Sequence, residues 1–514
     1  NDKLLIPVEN LDLISKYGQN VQNVTLDKLG LQNWQFRKAS IKKKIKDIAQ
    51  ELAKTAAQRE LKKGDVIHPK TLDYEKFSSE FEFTETSDQL KAIHQVENDL
   101  SSGKPMDRLI CGDVGFGKTE IAMRAAFIAF SAGYQTVMIC PKLLLVNQHF
   151  NNFKKRFEKF DCTINKISRF ESLKQKNLIK NKLKAGSINI LIGTHALLAK
   201  DIEFNNLGLI IIDEEQSFGV EQKEKLKKLK PNSHILTLSA TPIPRTLQSS
   251  LFKIKDISLI KTPPVDRVNI KTFLMFYDNN FVKKVINNEI KRGGQIFYVV
   301  PKVSDLNIIS KKVKKLVPNV NFAILHGKLK TLEIGRIYND FYNKKIQILI
   351  STAVIESGLD ISNVNTIIIE KPHYFGLSQL YQLRGRVGRS SAQAFAYLIL
   401  NENEPLKDET IKKLEIIAKI KELGAGFSIA ANDLDMRGAG NIIGSEQSGH
   451  VREVGIELYY KMVNQAVDEI KHVMTKLTEG DLTVNIEHAL DGDFAVLGEA
   501  INQFINEMRG TITS

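Results

Sequence analysis

No part of this chain constrains its fold more than Leu109 to Thr119, reading LICGDVGFGKT: a short apolar run, then Gly112, four residues, and Gly117, Lys118 and Thr119. The spacing predicts a strand, a phosphate-binding loop and the first turn of a helix. Ile121, Ala122, Ala125, Ala126, Ile128 and Ala129 follow at once with an apolar face at helical spacing. Gly112, Gly115 and Gly117 let backbone N–H groups wrap a polyphosphate at the positive end of that helix. Lys118 then reaches the terminal phosphate oxygens, and the Thr119 hydroxyl is offered to Mg2+. A nucleoside triphosphate with its magnesium ion is the expected cofactor pair.

Upstream, Phe83-Thr84-Glu85-Thr86-Ser87-Asp88-Gln89 places a glutamine amide, both donor and acceptor, where it can read the edge of adenine, with Phe83 able to stack on the ring. ATP is thereby preferred. Downstream, apolar runs at Thr136 to Cys140, Ile188 to Ile192, Leu209 to Ile212 and Ile235 to Leu238 alternate with helical segments, which predicts a parallel sheet covered by helices. Each run ends in polar residues, and in such sheets the strand ends carry function. These endings are Pro141 with Gln148, Gly193-Thr194-His195, Asp213-Glu214-Glu215-Gln216 and Ser239-Ala240-Thr241-Pro242. Asp213 stands at the tip of a buried strand, placed to hold the magnesium that Thr119 also touches, and Glu214 beside it can polarise water.

Pro263-Pro264 breaks the pattern as a linker, and a second alternating series follows: Gln295 to Val300, Phe322 to His326, Ile346 to Ser351, Thr366 to Glu370 and Phe395 to Leu400. It carries no second phosphate loop. Its strand ends present Thr352 with Glu356, Ser357, Gly358 and Asp360, and a helix presents Arg384-Gly385-Arg386-Val387-Gly388-Arg389. Arginine's planar fork matches phosphate, so Arg386 and Arg389 are candidates to reach across a domain gap to the nucleotide. Before all of this, Trp34 to Lys63 reads as a lysine-rich amphipathic helix with Ile41, Ile45, Ile48, Leu52 and Ala56 on one face, ended by Gly64. It suits a lever or brace and equally a plain packing helix.

Charge adds a partner class. The balance of 73 basic against 59 acidic residues gives +14, which favours a polyanion such as nucleic acid, although a lysine-rich solvated surface would read the same way. With 42% apolar residues in 514, the chain should build about three to five domains. Cys111, Cys140 and Cys162 form no CxxC pair, so neither a disulfide framework nor a zinc site is expected, and a reducing, cytoplasmic setting fits. No apolar run approaches a membrane span and no signal peptide is expected; a start at Asn1 reads as a fragment.

From about Phe83 to Ile470 the motifs together resemble the superfamily-two DNA translocases, nearest to the transcription-repair coupling factor family, with RecG-type branch-migration helicases as near relatives. DRLICGDVGFGKTEIAMRAAF, ILIGTHALL, LSATPIPRTL, HYFGLSQLYQLRGRVGR and ELGAGFSIAANDLDMRGAGNIIG carry the resemblance. It implies an α/β fold of two tandem RecA-like parallel-sheet domains with ATP between them and double-stranded DNA as partner. By position it implies Gln89 on adenine, Lys118 and Thr119 on phosphate and magnesium, Asp213 and Glu214 on metal and water, and Arg386 with Arg389 as arginine fingers. DNA contacts would fall on Pro141, on Gly193, Thr194 and His195, and on Thr352, while Ser239, Ala240 and Thr241 would couple hydrolysis to closure. Residues 424–449 resemble the translocation hairpin, with Arg437 its arginine, for which an ordinary ion pair is the other reading.

The implied domains are a remnant of a polymerase-interacting module (1–18), a linker helix (19–64), RecA-like domains at 65–262 and 263–405, the hairpin (406–470) and a helical tail (471–514). Ser217 and Lys142-Leu143 depart from the family pattern and could alter DNA coupling without removing ATP chemistry. The opening residues resemble only the last strand of the polymerase-interacting module, so RNA polymerase binding is expected of the full-length family and not of this stretch. The tail resembles a HAMP signalling linker, with Ala466, Ile470, Val473 and Leu477, then Phe494, Leu497, Ile501, Phe504 and Met508, at heptad-like spacing around Gly480-Asp481-Leu482. An amphipathic hairpin or a chimeric junction fits equally. The expected function is an ATP-dependent translocase on double-stranded DNA, the motor of a coupling factor acting on stalled RNA polymerase. A RecG-like remodelling helicase is the alternative, and a non-catalytic fragment dimerising through its tail is a reading of another class.

Overall fold

The computed structural model describes residues 63–429 except 70, 169–170, 200, 219–231, 241–255, 265–266, 354–360, 362, 389–391, 403–405, 407, 421–423 and 427–428. The linker helix, the remnant module, most of the hairpin with Arg437, and the tail with its dimer reading therefore lie outside the described residues. So do Thr241, Gly358, Asp360 and Arg389.

Two parallel sheets organise what is described. The first lobe runs α1 (Thr71–Ser79), α2 (Ser87–Ser101), β1 (Asp107–Gly112), α3 (Lys118–Ser131), β2 (Gln135–Ile139), α4 (Leu143–Arg156), β3 (Ile164–Ile167), α5 (Leu173–Lys184), β4 (Ile190–Gly193), β5 (Leu207–Asp213), β6 (His234–Ser239) and β7 (Asp256–Ile260). Its strand order is β3-β4-β2-β5-β6-β1-β7. The pairs from β3 through to β1 are parallel. β1, β2, β4 and β5 are buried along nearly their whole length, as strands covered on both faces must be.

The helix after the phosphate loop, α3, is enclosed in the same way. Its Ile121, Ala125, Phe127 and Ile128 pack with Ile110, Met138 and Ile211 of the sheet. Two charged residues on it are buried as well, and they are paired: Arg124 bonds Glu120 at 3.0 Å and also Glu85, while Arg156 reaches Glu120 at 3.0 Å. Removing one partner would leave a charge uncompensated in a dry site.

The second lobe runs β8 (Lys271–Phe276), α6 (Asn279–Lys291), β9 (Gln295–Val299), α7 (Val303–Leu316), β10 (Phe322–Leu325), α8 (Thr331–Tyr342), β11 (Ile348–Ser351), β12 (Val364–Glu370), α9 (Leu377–Arg384), β13 (Phe395–Leu400) and α10 (Asp408–Lys419). Its six strands, ordered β10-β11-β9-β12-β13-β8, are parallel throughout.

The lobes repeat local devices. Gln135 opens β2 and donates to the Leu183 and Ile188 carbonyls; Gln295 opens β9 and donates to those of Phe341 and Ile346. β5 ends in Asp213 and then Glu214 at φ 53°, while β12 ends in Glu370 and then Lys371 at φ 51°, each followed by a 3₁₀ turn. The connector between the lobes starts on a fixed point. Asp88 at the head of α2 accepts from the Lys261 N–H and Thr262 N–H at 2.9 Å and from the Thr262 hydroxyl at 2.8 Å.

The apolar runs named from sequence all form strands, with ends shifted by up to two residues. Three further strands, β3, β7 and β8, carry no such run. β3 (INKI) and β8 (KTFLMF) lie at sheet edges, with one residue of β3 buried and those of β8 half-buried or exposed, so their composition is mixed and their hydrophobic signal weak.

Candidate nucleotide-binding site

The strand order sets the geometry. β6 lies between β1 and β5, with Cys111 opposite Ser239 and Leu238 opposite Asp213. Strands stand about 4.8 Å apart, so the glycine loop after β1 and the acidic tip of β5 face each other across roughly 10 Å, with Ser239 and Ala240 between them.

The loop needs its glycines. Gly115 and Gly117 have φ of +80° and +77°, and Gly117 is the N-cap of α3 in the left-handed region, leaving the first N–H groups of the helix without a side-chain cap. A Cβ on Gly117 would come within 2.3 Å of Gln89 Nε2, and one on Gly112 would meet Ile260 at 3.0 Å. Lys118 Nζ donates to the Gly112 and Asp113 carbonyls at 2.7 and 2.8 Å. Burial of its ammonium holds Lys118 below the usual lysine range, against the pull of the Glu214 and Asp213 carboxylates. Gly117→Ala combines left-handed strain of about 1–2 kcal/mol with displacement of Gln89, and it should weaken ATP binding at least tenfold in a fluorescent-nucleotide titration. Affinity within twofold of the parent would show that the loop tolerates the methyl group.

Gln89 is held by that same loop. Its Oε1 accepts from the Thr86 N–H at 2.8 Å in a capping box, and its Nε2 donates to the Phe116 carbonyl at 3.0 Å. One amide hydrogen and one lone pair stay available, enough for an adenine edge. Phe83 is 57% exposed with its ring edge-on to Phe81.

At the tip of β5, Asp213 Oδ2 lies 2.7 Å from His149 Nε2 on α4, and Oδ1 accepts the Glu214 N–H at 3.0 Å. Burial works to raise the Asp213 carboxyl. The His149 hydrogen bond, the electrostatic pull of His149 and Lys118, and the Glu214 N–H outweigh it, so it stays below the usual carboxylate range. Among the described residues no group of three or more His, Cys, Asp or Glu could cage a metal. Mg2+ keeps most of its waters and takes one or two protein ligands beside substrate phosphates. Asp213 and Thr119, a half-buried residue in the first turn of α3, are the candidates.

The second lobe meets the loop through α9 and the turn after it. Arg386 is 2% exposed. Arg384 serves packing: it donates to Thr272 Oγ1 at 2.9 Å and to the Ile270 and Ile420 carbonyls at 3.2 and 3.0 Å. Tyr381 donates its hydroxyl to Asp113 Oδ2 inside the loop itself. Arg267, on the connector, donates to the Val114 carbonyl of the loop and to the Gly385 and Gly388 carbonyls at 3.3 Å each. The loops expected to touch DNA lie after β2 (Pro141, half-buried), after β4 (Gly193, Thr194 and an exposed His195) and after β11 (Thr352).

Sequence reasoning missed His149, Asp113, Tyr381 and Arg267. For His149 a signal existed: it interrupts an apolar helical row with Leu145 and Phe153 at four-residue intervals. The other three are polar residues whose partners lie more than 100 positions away, and no local pattern marks them.

Residues 86–250 match the DEAD/DEAH box helicase family and residues 278–391 match the helicase conserved C-terminal domain. Fold and matches together define a two-lobed helicase-type ATPase. Over most of its length the chain is similar to the transcription-repair-coupling factors. It is 48% identical to that of Rickettsia bellii over 471 residues, 91% of this chain and 42% of the relative, and 46% identical to that of Buchnera aphidicola over 92% of this chain and 58% of the relative. It thus spans about half the length of these relatives. Among solved structures, RecG bound to a three-way DNA junction aligns with a TM-score of 0.68 and 32% identity over 83% of this chain and 57% of that one. Among the described residues no helix is long and apolar enough to cross a membrane.

Proposed function

We propose that this chain is an ATP-driven translocase on double-stranded DNA, corresponding to the motor of a cytoplasmic transcription-repair-coupling factor. The observation that carries it is the joining of an ATP-type loop on one lobe to the arginine-bearing turn of the other, through Tyr381 and Arg267. A cleft built so can convert a change at phosphate into a movement of one lobe against the other. Lys118 exchanges the Gly112 and Asp113 carbonyls for phosphate oxygens, Glu214 orients the attacking water, and Asp213 with Thr119 holds the metal. Mg2+ held there would supply charge that offsets the phosphates. Arg386 and Arg389 neutralise charge on the transferred group from the second lobe. Gln89 and Phe83 select adenine; the nucleotide contacts expected of Gly358 and Asp360 fall outside the described residues.

The loops at Pro141, Gly193-Thr194-His195 and Thr352 grip the DNA backbone and Ser239 with Ala240 relays closure, while the roles that the family resemblance gives Thr241 and Arg437 fall outside the described residues. Grip of this kind reads phosphate and not sequence. Affinity for duplex DNA should drop at least roughly a hundredfold between 50 and 200 mM salt, the loss expected for about four phosphate contacts.

The test is ATP hydrolysis by the purified chain with and without linear duplex, together with displacement of a triplex strand from that duplex. Strong stimulation and displacement are expected. Hydrolysis without either would leave a DNA-independent ATPase and remove the translocase reading. The similarity to RecG favours one second reading, branched-DNA remodelling, and a junction that stimulates hydrolysis far more than linear duplex would select it. The coupling to transcription in the relatives' name is the proposed setting for this motor.

A further inference from the structure

Asp113 sits in the glycine loop between Gly112 and Val114, only 4% exposed. One carboxylate oxygen, Oδ1, is buried with no hydrogen-bond partner in the structure; the other takes the hydroxyl of Tyr381, a residue 268 positions away on the opposite lobe and 9% exposed. A buried carboxylate that is only half satisfied is costly, and more so beside a site for a polyphosphate, whose charge has the same sign. Among the described residues the Tyr381 hydroxyl is the one donor to that carboxylate, and it comes from the lobe that must close. Burial, and the Asp113 charge beside it, push the Tyr381 phenol well above the usual tyrosine range, so it stays a donor.

A second bridge lies alongside. The Arg267 guanidinium spans the Val114 carbonyl on one side and the Gly385 and Gly388 carbonyls on the other, bracketing Arg386. Gly385 faces the same residue of the loop: a Cβ placed on it would stand 3.4 Å from Val114 Cβ. Two hydrogen bonds, from Tyr381 and Arg267, thus converge with the close approach of Gly385 on two consecutive residues of the loop, Asp113 and Val114.

We propose that Tyr381 and Arg267 are positioning residues for ATP hydrolysis, fixing the phosphate loop against the turn that carries Arg386, Tyr381 through Asp113 and Arg267 through the backbone on both sides. This deepens the ATPase reading of the site and rests on it. Neither residue touches the reacting atoms in this role. Opening the lobes strips Asp113 of its donor and Val114 of its partner, so the closed arrangement and the loop geometry that accepts phosphate support each other, and the coupling is reciprocal.

The separation of turnover from binding tests the proposal in the full chain with saturating duplex DNA. Tyr381→Phe keeps the ring and deletes the bond to Asp113; kcat should fall about tenfold, ~1.4 kcal/mol in barrier, with KM for ATP within twofold of the parent. The double variant Asp113→Ala/Tyr381→Phe should turn over within twofold of Asp113→Ala alone, because the hydroxyl then has nothing to act through. Arg267→Ala should lower kcat roughly a hundredfold, the scale of an ångström-sized misplacement. Arg267→Lys should not rescue it, since one ammonium cannot span carbonyls on both sides.

A Tyr381→Phe chain with parental kcat, losses carried by KM, multiplicative losses in the double variant, or full rescue by lysine would each overturn the positioning role while leaving the ATPase reading intact. A parent chain that hydrolyses no ATP would remove that reading itself, and the role with it.

Discussion

Lys118→Ala is expected to abolish DNA-stimulated ATP hydrolysis, lowering kcat/KM by at least about 10²–10³, the scale reported for deleting one preorganised electrostatic contact to a developing charge. The loss should be this large because the ammonium is already desolvated: burial holds it below the usual lysine range, and its hydrogen bonds go to two carbonyls of its own loop. Exchanging them for phosphate oxygens costs little reorganisation and gains a full ionic contact in a low-dielectric pocket. Initial rates with and without duplex, run beside a melting curve, decide it. The variant should melt like the parent, because Lys118 is not part of the packed apolar core. Residual hydrolysis above a tenth of parental would mean that another cation does the work.

Glu214→Gln should separate binding from chemistry. Its side-chain shape is nearly unchanged, so the φ of 53° at that position and the bond from its N–H to Asp213 persist. A left-handed backbone at a non-glycine residue costs about 1–3 kcal/mol and survives only where the surroundings over-determine it. Here a 3₁₀ turn follows directly, with the Ser217 N–H on the Glu214 carbonyl at 2.9 Å. If Glu214 orients and polarises the attacking water, the amide should lower single-turnover hydrolysis by about 10²–10⁴. Nucleotide affinity should stay within threefold. Turnover near the parental rate would assign the water to a different residue.

The alternation of apolar runs with polar endings located nine strands, because a buried parallel strand must be apolar on both faces and its end must present its polar groups to a crevice. Three strands escaped this logic. β3 and β8 lie at sheet edges, where part of each strand meets solvent and the apolar signal thins. The nucleotide loop was legible for a different reason: the backbone of Gly115 and Gly117 lies where side chains are strained, so the residue type follows from the conformation. Gln89 was legible in place and incomplete in role. Its amide holds the helix cap and the Phe116 carbonyl at the same time, contacts that only the folded loop reveals.

What the sequence determined by itself is everything encoded within a few residues: glycine spacing, strand tips, the cluster of arginines, and an excess of basic charge. What the tertiary structure decided is which of these meet. Arg384 and Arg386 are two positions apart and read alike, yet Arg384 is consumed by Thr272 and the carbonyls of Ile270 and Ile420. The Asp113–Tyr381 and Arg267 bridges arise because two sheets stand close enough for an aspartate and a carbonyl to be reached from the other side. Pairings across more than 100 residues leave no periodicity in the chain, since their geometry is set by the packing of whole lobes and not by the local backbone.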